Sequence, residues 1–250
     1  MAKFGWAKTA LILLSTSLLL IGCKSQTTGT GTQAKQQGLL AEEAIKPYGL
    51  YTELCKDGSA VGCRKLATIY FEGKVVEKNE KKAATLYQKA CAGGDEKACV
   101  TLGYMYEYGR GVDHNHSRSF ELYSQLCESG SGIGCVNLGR LYEIARGVEW
   151  DLTKAVSLYV EACEGGYGPG CVEAGKKYGR GFGVEMDKSI SFEYYKKGCD
   201  SLYPLSCSVV SYLYKTGIGV DKDPNKVKIY DQKACSLGLE LKCPGFKLFN

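Results

Sequence analysis

The chain of 250 residues is short of the residues and patterns on which most enzymatic sites are built. It has only two histidines, His114 and His116. They stand at i, i+2 beside Asp113, with no third histidine to complete a metal site that needs several ligands, so they read as a surface loop. There is no P-loop and no G-x-G-x-x-G in a strand-turn-helix setting, and no Ser/His/Asp arrangement stands out. Charge of either sign is not in excess. Net charge is +5, and the lysines and arginines are dispersed, which argues against a nucleic-acid partner. With 44% hydrophobic residues the chain is a folded protein rather than a disordered one.

Thirteen cysteines are the opposite extreme, and the first of them sits at the end of the longest apolar run. Lys3 and Lys8 precede an apolar stretch from Ala10 to Leu20, too short for a comfortable membrane span. It runs into Leu20-Ile21-Gly22-Cys23, which resembles the lipobox of bacterial lipoproteins. That resemblance implies a signal peptide over 1–22 and acylation of Cys23, with stable anchoring because several acyl chains are attached. An ordinary signal peptide with a chance cysteine, and an uncleaved anchor, are the other readings. Lys24 follows the cysteine, and the absence of Asp there favours the outer over the inner membrane. Residues 23–37 carry no large apolar side chain and read as a polar tether.

From residue 38 to 250 the chain repeats. The cysteines pair as Cys55 and Cys63, Cys91 and Cys99, Cys127 and Cys135, Cys163 and Cys171, Cys199 and Cys207, Cys235 and Cys243, each pair 36 residues after the last. A fixed period in this range means stacked supersecondary units. Other columns obey it: Tyr51, Tyr87, Tyr123, Tyr159 and Tyr195; Leu66, Leu102, Leu138, Ala174 and Val210; and the small Ala67, Gly103, Gly139, Gly175 and Ser211. Cys99, Leu102, Gly103 and Tyr106 fall on one helical face, and the glycines Gly109 and Gly111 break that helix. A second helix follows, as over His116 to Cys127. The columns predict about twelve helices between Gln37 and Asn250, joined by short turns and stacked because neither helix of a unit can bury its face alone.

The pattern LYxxACxxGxxxACxxLGxxYxxGxGV resembles the Sel1-like repeat family, relatives of tetratricopeptide repeats, and in its cysteines the disulfide-rich Helicobacter cysteine-rich proteins. The resemblance spans Tyr48 to Asn250 and implies an all-α, right-handed α/α solenoid of about five units with a truncated cap. Departures are Ala145 where a glycine is usual, Leu202 for the inter-helix glycine and Asp231 for the first tyrosine. Each cysteine pair brackets the turn between antiparallel helices, near enough for a disulfide. The spacing is too wide for the short zinc-ligand pairs, and export permits oxidation. Six disulfides within the pairs are expected, leaving Cys23 for the lipid.

The cysteine-rich relatives have been described as penicillin-binding and as slow β-lactamases, which the resemblance carries here as an alternative function. Serine β-lactamases use S-x-x-K, S-D-N and K-T-G. Only Lys215-Thr216-Gly217 is present, and Gly217 occupies the helix-ending column of Gly73, Gly109 and Gly181. No catalytic residue, metal or cofactor is assigned. What remains is a surface. In tetratricopeptide-like solenoids the first helix of each unit lines a concave groove. Residues outside the structural columns are candidates to face it: Lys65, Thr101, Tyr104, Asn137, Arg140 and Lys176. Asn137 and Arg140 are expected to face solvent, where with Tyr104 they could grip a peptide backbone or terminal carboxylate. The expected function is an envelope-tethered scaffold for a peptide or protein. Its membrane contact is the lipid anchor, and a peptidoglycan-related ligand and a role in host interaction after release are further alternatives.

Overall fold

The computed structural model describes residues 47–243. Helices follow one another as α1 (47–56), α2 (Ala60–Glu72), α3 (Glu80–Ala92), α4 (Glu96–Tyr108), α5 (His116–Glu128), α6 (Gly132–Glu143), α7 (Leu152–Glu164), α8 (Gly168–Arg180), α9 (Lys188–Asp200), α10 (Pro204–Thr216) and α11 (Pro224–Ser236), closed by a 3-10 turn at Glu240–Lys242. The described residues contain no strand. Each helix packs on the next, and α6, α8 and α10 also touch in sequence. This is a solenoid of helical pairs, α2 with α3 through α10 with α11.

Local chemistry sets the boundaries. Asn79, Asn115, Asp151, Asp187 and Asp223 cap the second helices, their side chains accepting backbone N–H bonds of the first turn. The first helices α2, α4, α8 and α10 end on Gly73, Gly109, Gly181 and Gly217, all left-handed. The columns then interlock. A Cβ on Gly103 would lie 2.6 Å from the Tyr123 ring, and one on Gly139 2.8 Å from Tyr159. The small column is therefore the socket for the tyrosine of the following second helix. In the last pair the tyrosine is replaced by Asp231, which forms an ion pair with Lys242 at 3.1 Å. Helix α11 accordingly buries little, with Ala234 its one fully enclosed side chain.

The expected twelfth helix is not formed within the described residues. Eleven helices are, and a 3-10 turn stands where another would begin. Cys243 is extended, with ψ 138°. It precedes Pro244, whose ring disfavours the helical region for the residue before it.

Two departures from the repeat carry backbone strain. Ala145 (φ 53°) and Leu202 (φ 59°) hold the left-handed conformation that glycine takes in the equivalent turns of other units. Left-handed backbone disfavours an L residue by about 1–2 kcal/mol, partly offset by the freedom glycine adds to the unfolded chain. Leu202→Gly should therefore raise stability by about 0.5–1 kcal/mol, read as a higher urea midpoint. A lower midpoint would mean that the exposed Leu202 side chain contributes more than its backbone costs.

Candidate functional site

All six cysteine pairs are bonded as disulfides, with Cα atoms 4.4 to 4.8 Å apart. Cys91–Cys99 joins α3 to α4, and the next three bridges likewise join one helical pair to the following one. Cys55–Cys63 ties α1 to α2, and Cys235–Cys243 ties α11 to the terminal turn. The bridges thus staple neighbours together rather than closing a single pair. Glu161 lies 3.9 Å from the Cys127 sulfur, but Cys127 and Cys135 are bonded to each other and offer no thiolate. His114 and His116 stack edge to face at 4.1 Å. Burial, His114 and Arg146 push the His116 imidazole below its usual pKa.

The Lys215-Thr216-Gly217 tripeptide is a helix end. The Gly217 N–H bonds Leu213 O, and the Thr216 hydroxyl bonds Tyr212 O. Ser211, one turn before Lys215, is buried and donates to Val227 O. The hydroxyls of Ser211 and Thr216, which flank the lysine in sequence, are thus both engaged with backbone carbonyls.

The first helices present the candidate binding face. Lys65 is exposed. Thr101 is half-buried and donates to Lys97 O of its own helix. Asn137 donates to Ile133 O, again within its helix. Lys176 pairs with Glu173 at 2.6 Å. Tyr104 is exposed and its ring tilts against exposed Tyr108, 4.6 Å between centroids.

Arg140 requires a correction. It was expected to face solvent freely, yet both terminal nitrogens grip the Glu107 carboxylate, at 2.8 and 2.7 Å. Glu107 is fully buried, and Arg146 adds a third bond at 2.6 Å. Burial alone would push the Glu107 carboxyl up. The two guanidiniums outweigh it and hold the pKa below the usual carboxylate range. Arg146 also lies 5.1 Å above the Tyr108 ring, which joins the ion cluster to the exposed tyrosine pair. One unit on, Glu143 accepts from buried Lys177 and from the Tyr159 hydroxyl at 2.8 Å.

Sequence reasoning missed Glu107, Arg146 and Tyr108. A signal existed in part: acid and base recur slightly less than one period apart, as Glu107 to Arg140, Glu143 to Lys177, Glu164 to Lys197 and Asp200 to Lys233. Such a spacing bridges consecutive units.

Cys23, the proposed signal segment 1–22 and the tether 23–37 lie outside the described residues. No helix of the described residues is long and apolar enough to cross a membrane.

Comparison with known proteins agrees with this architecture. The Sel1 repeat matches residues 60–95, 97–131, 132–167, 169–201 and 204–239. No curated protein matches. A Sel1 repeat protein of Oxalobacter formigenes has a similar structure, with TM-score 0.65 and 25% identity over 79% of this chain and 84% of that one. So does a protective antigen of uropathogenic Escherichia coli with an SLR fold, at TM-score 0.62 and 25% identity over 84% of this chain. This chain spans 49% of that antigen's length. Helicobacter pylori cysteine rich protein B is 31% identical over 55% of this chain and 98% of its own, with a TM-score of 0.44. The five matches phase each unit as a first helix followed by a second, as the packing does, and cover well over half of the sequence. The chain belongs to the Sel1 repeat family.

Proposed function

We propose that this protein is an envelope-tethered scaffold that captures a peptide or protein segment along the face of its first helices. Sel1 repeats generally mediate protein–protein binding. The observation that carries the reading is the exposed pair Tyr104 and Tyr108, with Arg146 over Tyr108 and Arg140 beside it. Tyrosine and arginine dominate the energetics of protein interfaces because they bring large contact area with little flexibility. Here both are already held in place. Buried Glu107 anchors the two guanidiniums, while the tyrosines brace each other. A partner segment would meet a surface that loses little freedom on binding. The tether reading rests on the lipobox-like residues ending at Cys23 and on the six bridges, which suit an oxidising exported compartment.

Site-specific photo-crosslinking in intact envelopes tests both halves. A photoreactive residue at Tyr104 is expected to yield an adduct of discrete mass. The same residue at exposed Ser157, on second helix α7, should not. Tyr108→Ala should reduce the Tyr104 adduct several-fold. With Cys23→Ser the chain should leave the membrane fraction. Equal labelling from both positions would overturn the binding face, and unchanged fractionation would overturn the tether.

A further inference from the structure

The turns that follow the first helices stack on one another in a way that no column shows. A Cβ on Gly183 would lie 2.5 Å from Leu152 O, and Thr153 donates to Gly183 O. The turn carrying Phe182 therefore rests on the start of α7, two residues after Trp150. In the next unit Gly219 rests in the same way on Lys188 O, which sets Ile218 beside the segment of Met186. One unit earlier Gly147 rests on His116, and before that Gly111 rests on Glu80. The stagger thus sets turn segments of neighbouring units side by side: the segment of Lys78 with that of Arg110, His114 with Arg146, Trp150 with Phe182, and Met186 with Ile218.

These paired segments change character along the chain. The first two segments carry cations held by carboxylates: Lys78 and Arg110 share Glu80, and Arg146 bonds Glu107. The last two carry large apolar side chains open to solvent: Trp150 is 63% exposed, Met186 59%, Phe182 48% and Ile218 38%. Single exposed apolar residues are ordinary on a protein surface, but four of them on turns that stack one on the next form a patch. The turn segments that carry it are rich in carboxylates, with Arg146, Arg180 and Lys188 at their borders. Segments 147–151, 183–187 and 219–223 hold six carboxylates against the single Lys222. Asp151, Asp187 and Asp223 are helix caps. Glu149, Glu185 and Asp221 are exposed, and none forms an ion pair among the described residues.

We propose that this glycine-turn edge of the last three units is a second docking surface, fitted to a cationic peptide segment of a partner with large apolar side chains. The apolar residues would take the side chains, and Glu149, Glu185 and Asp221 would select lysine or arginine beside them. The same carboxylates disfavour an anionic bilayer. The residues are distinct from those of the first-helix face, so either surface stands without the other.

Trp150 is its own reporter, because Trp6 is the only other tryptophan. In the full chain with Trp6→Phe, an acetylated, amidated peptide alternating lysine and leucine is the probe. It should shift Trp150 emission to the blue and bind more weakly as salt rises. Phe182→Ser with Ile218→Ser, both at exposed positions, should weaken binding about 10-fold. Glu149→Gln with Glu185→Gln should flatten the salt dependence. Three outcomes would overturn the proposal: Trp150 emission unmoved at saturation, equal binding of a glutamate–leucine peptide, or a blue shift with phosphatidylglycerol vesicles but not with the peptide. Loss of the Tyr104 crosslink described above would leave it standing.

Discussion

Arg140→Ala is expected to destabilise the protein by about 3 kcal/mol, the largest effect of any single substitution on the first-helix face. The reason is the carboxylate it abandons. Glu107 is fully buried, and removing one partner of a buried pair typically costs 3–5 kcal/mol. Arg146 still bonds Glu107, which places the expected value at the lower end. Glu107→Gln should cost less, because it leaves two guanidiniums that are each about one-third exposed. The pair must also respond to acid. The folded pKa of Glu107 is depressed, so its stabilisation is present above the unfolded value of about 4.3 and is lost as pH falls through the folded pKa. Glu143, likewise depressed by Lys177 and the Tyr159 hydroxyl against the opposing effect of burial, adds to the same loss. Urea denaturation between pH 7 and pH 3 checks both statements. A cost below about 1 kcal/mol for Arg140→Ala would class the pair with ordinary surface salt bridges.

Reduction of the disulfides is the second large effect. Closing a loop of eight residues is worth about 2.5 kcal/mol in the chain-entropy model. Six such loops sum to a magnitude that rivals the whole stability of a typical domain, about 5–15 kcal/mol. The full chain treated with a strong reductant at neutral pH should therefore lose most of its helical circular dichroism near room temperature. The order of reduction should follow access. Cys235 and Cys243 are half-buried and should open first, whereas Cys199 and Cys207 are fully enclosed and should open late. Mass spectrometry after partial reduction and alkylation reads that order. Because four of the bridges join one unit to the next, their loss acts on the coupling between repeats, and unfolding should become less cooperative. A reduced chain that melts as the oxidised one does would show that packing alone holds the units together.

Much of the scaffold was legible in the residues. The 36-residue step placed the cysteines, the leucine column and the glycine stops, and the bonded pairs and the helices of the structure follow them. Ala145 and Leu202 stood out as departures, and both proved to hold positive φ. Within the described residues the twelfth helix does not form: Cys243 is extended, as the following Pro244 of the sequence favours, an effect that a column of apolar residues does not express. Arg140 failed for a different reason. Its column holds Thr68, Tyr104, Lys176 and Tyr212, all suited to solvent, and nothing in the column reveals a buried acid in the unit before.

By itself, then, the sequence determined the period, the helix faces, the cysteine partners and the family. These depend on angular position around a helix and on short-range turn chemistry, which a linear pattern encodes directly. Only the tertiary structure decided which exposed positions are free. The stagger between units puts Arg140 and Arg146 on Glu107, sets the turn of Phe182 on the helix that follows Trp150, and seats the Tyr123 ring against Gly103. Those contacts join residues by the offset of one unit against the next. That offset is set by how side chains fill the space between helices, a property of the packed stack that no column records.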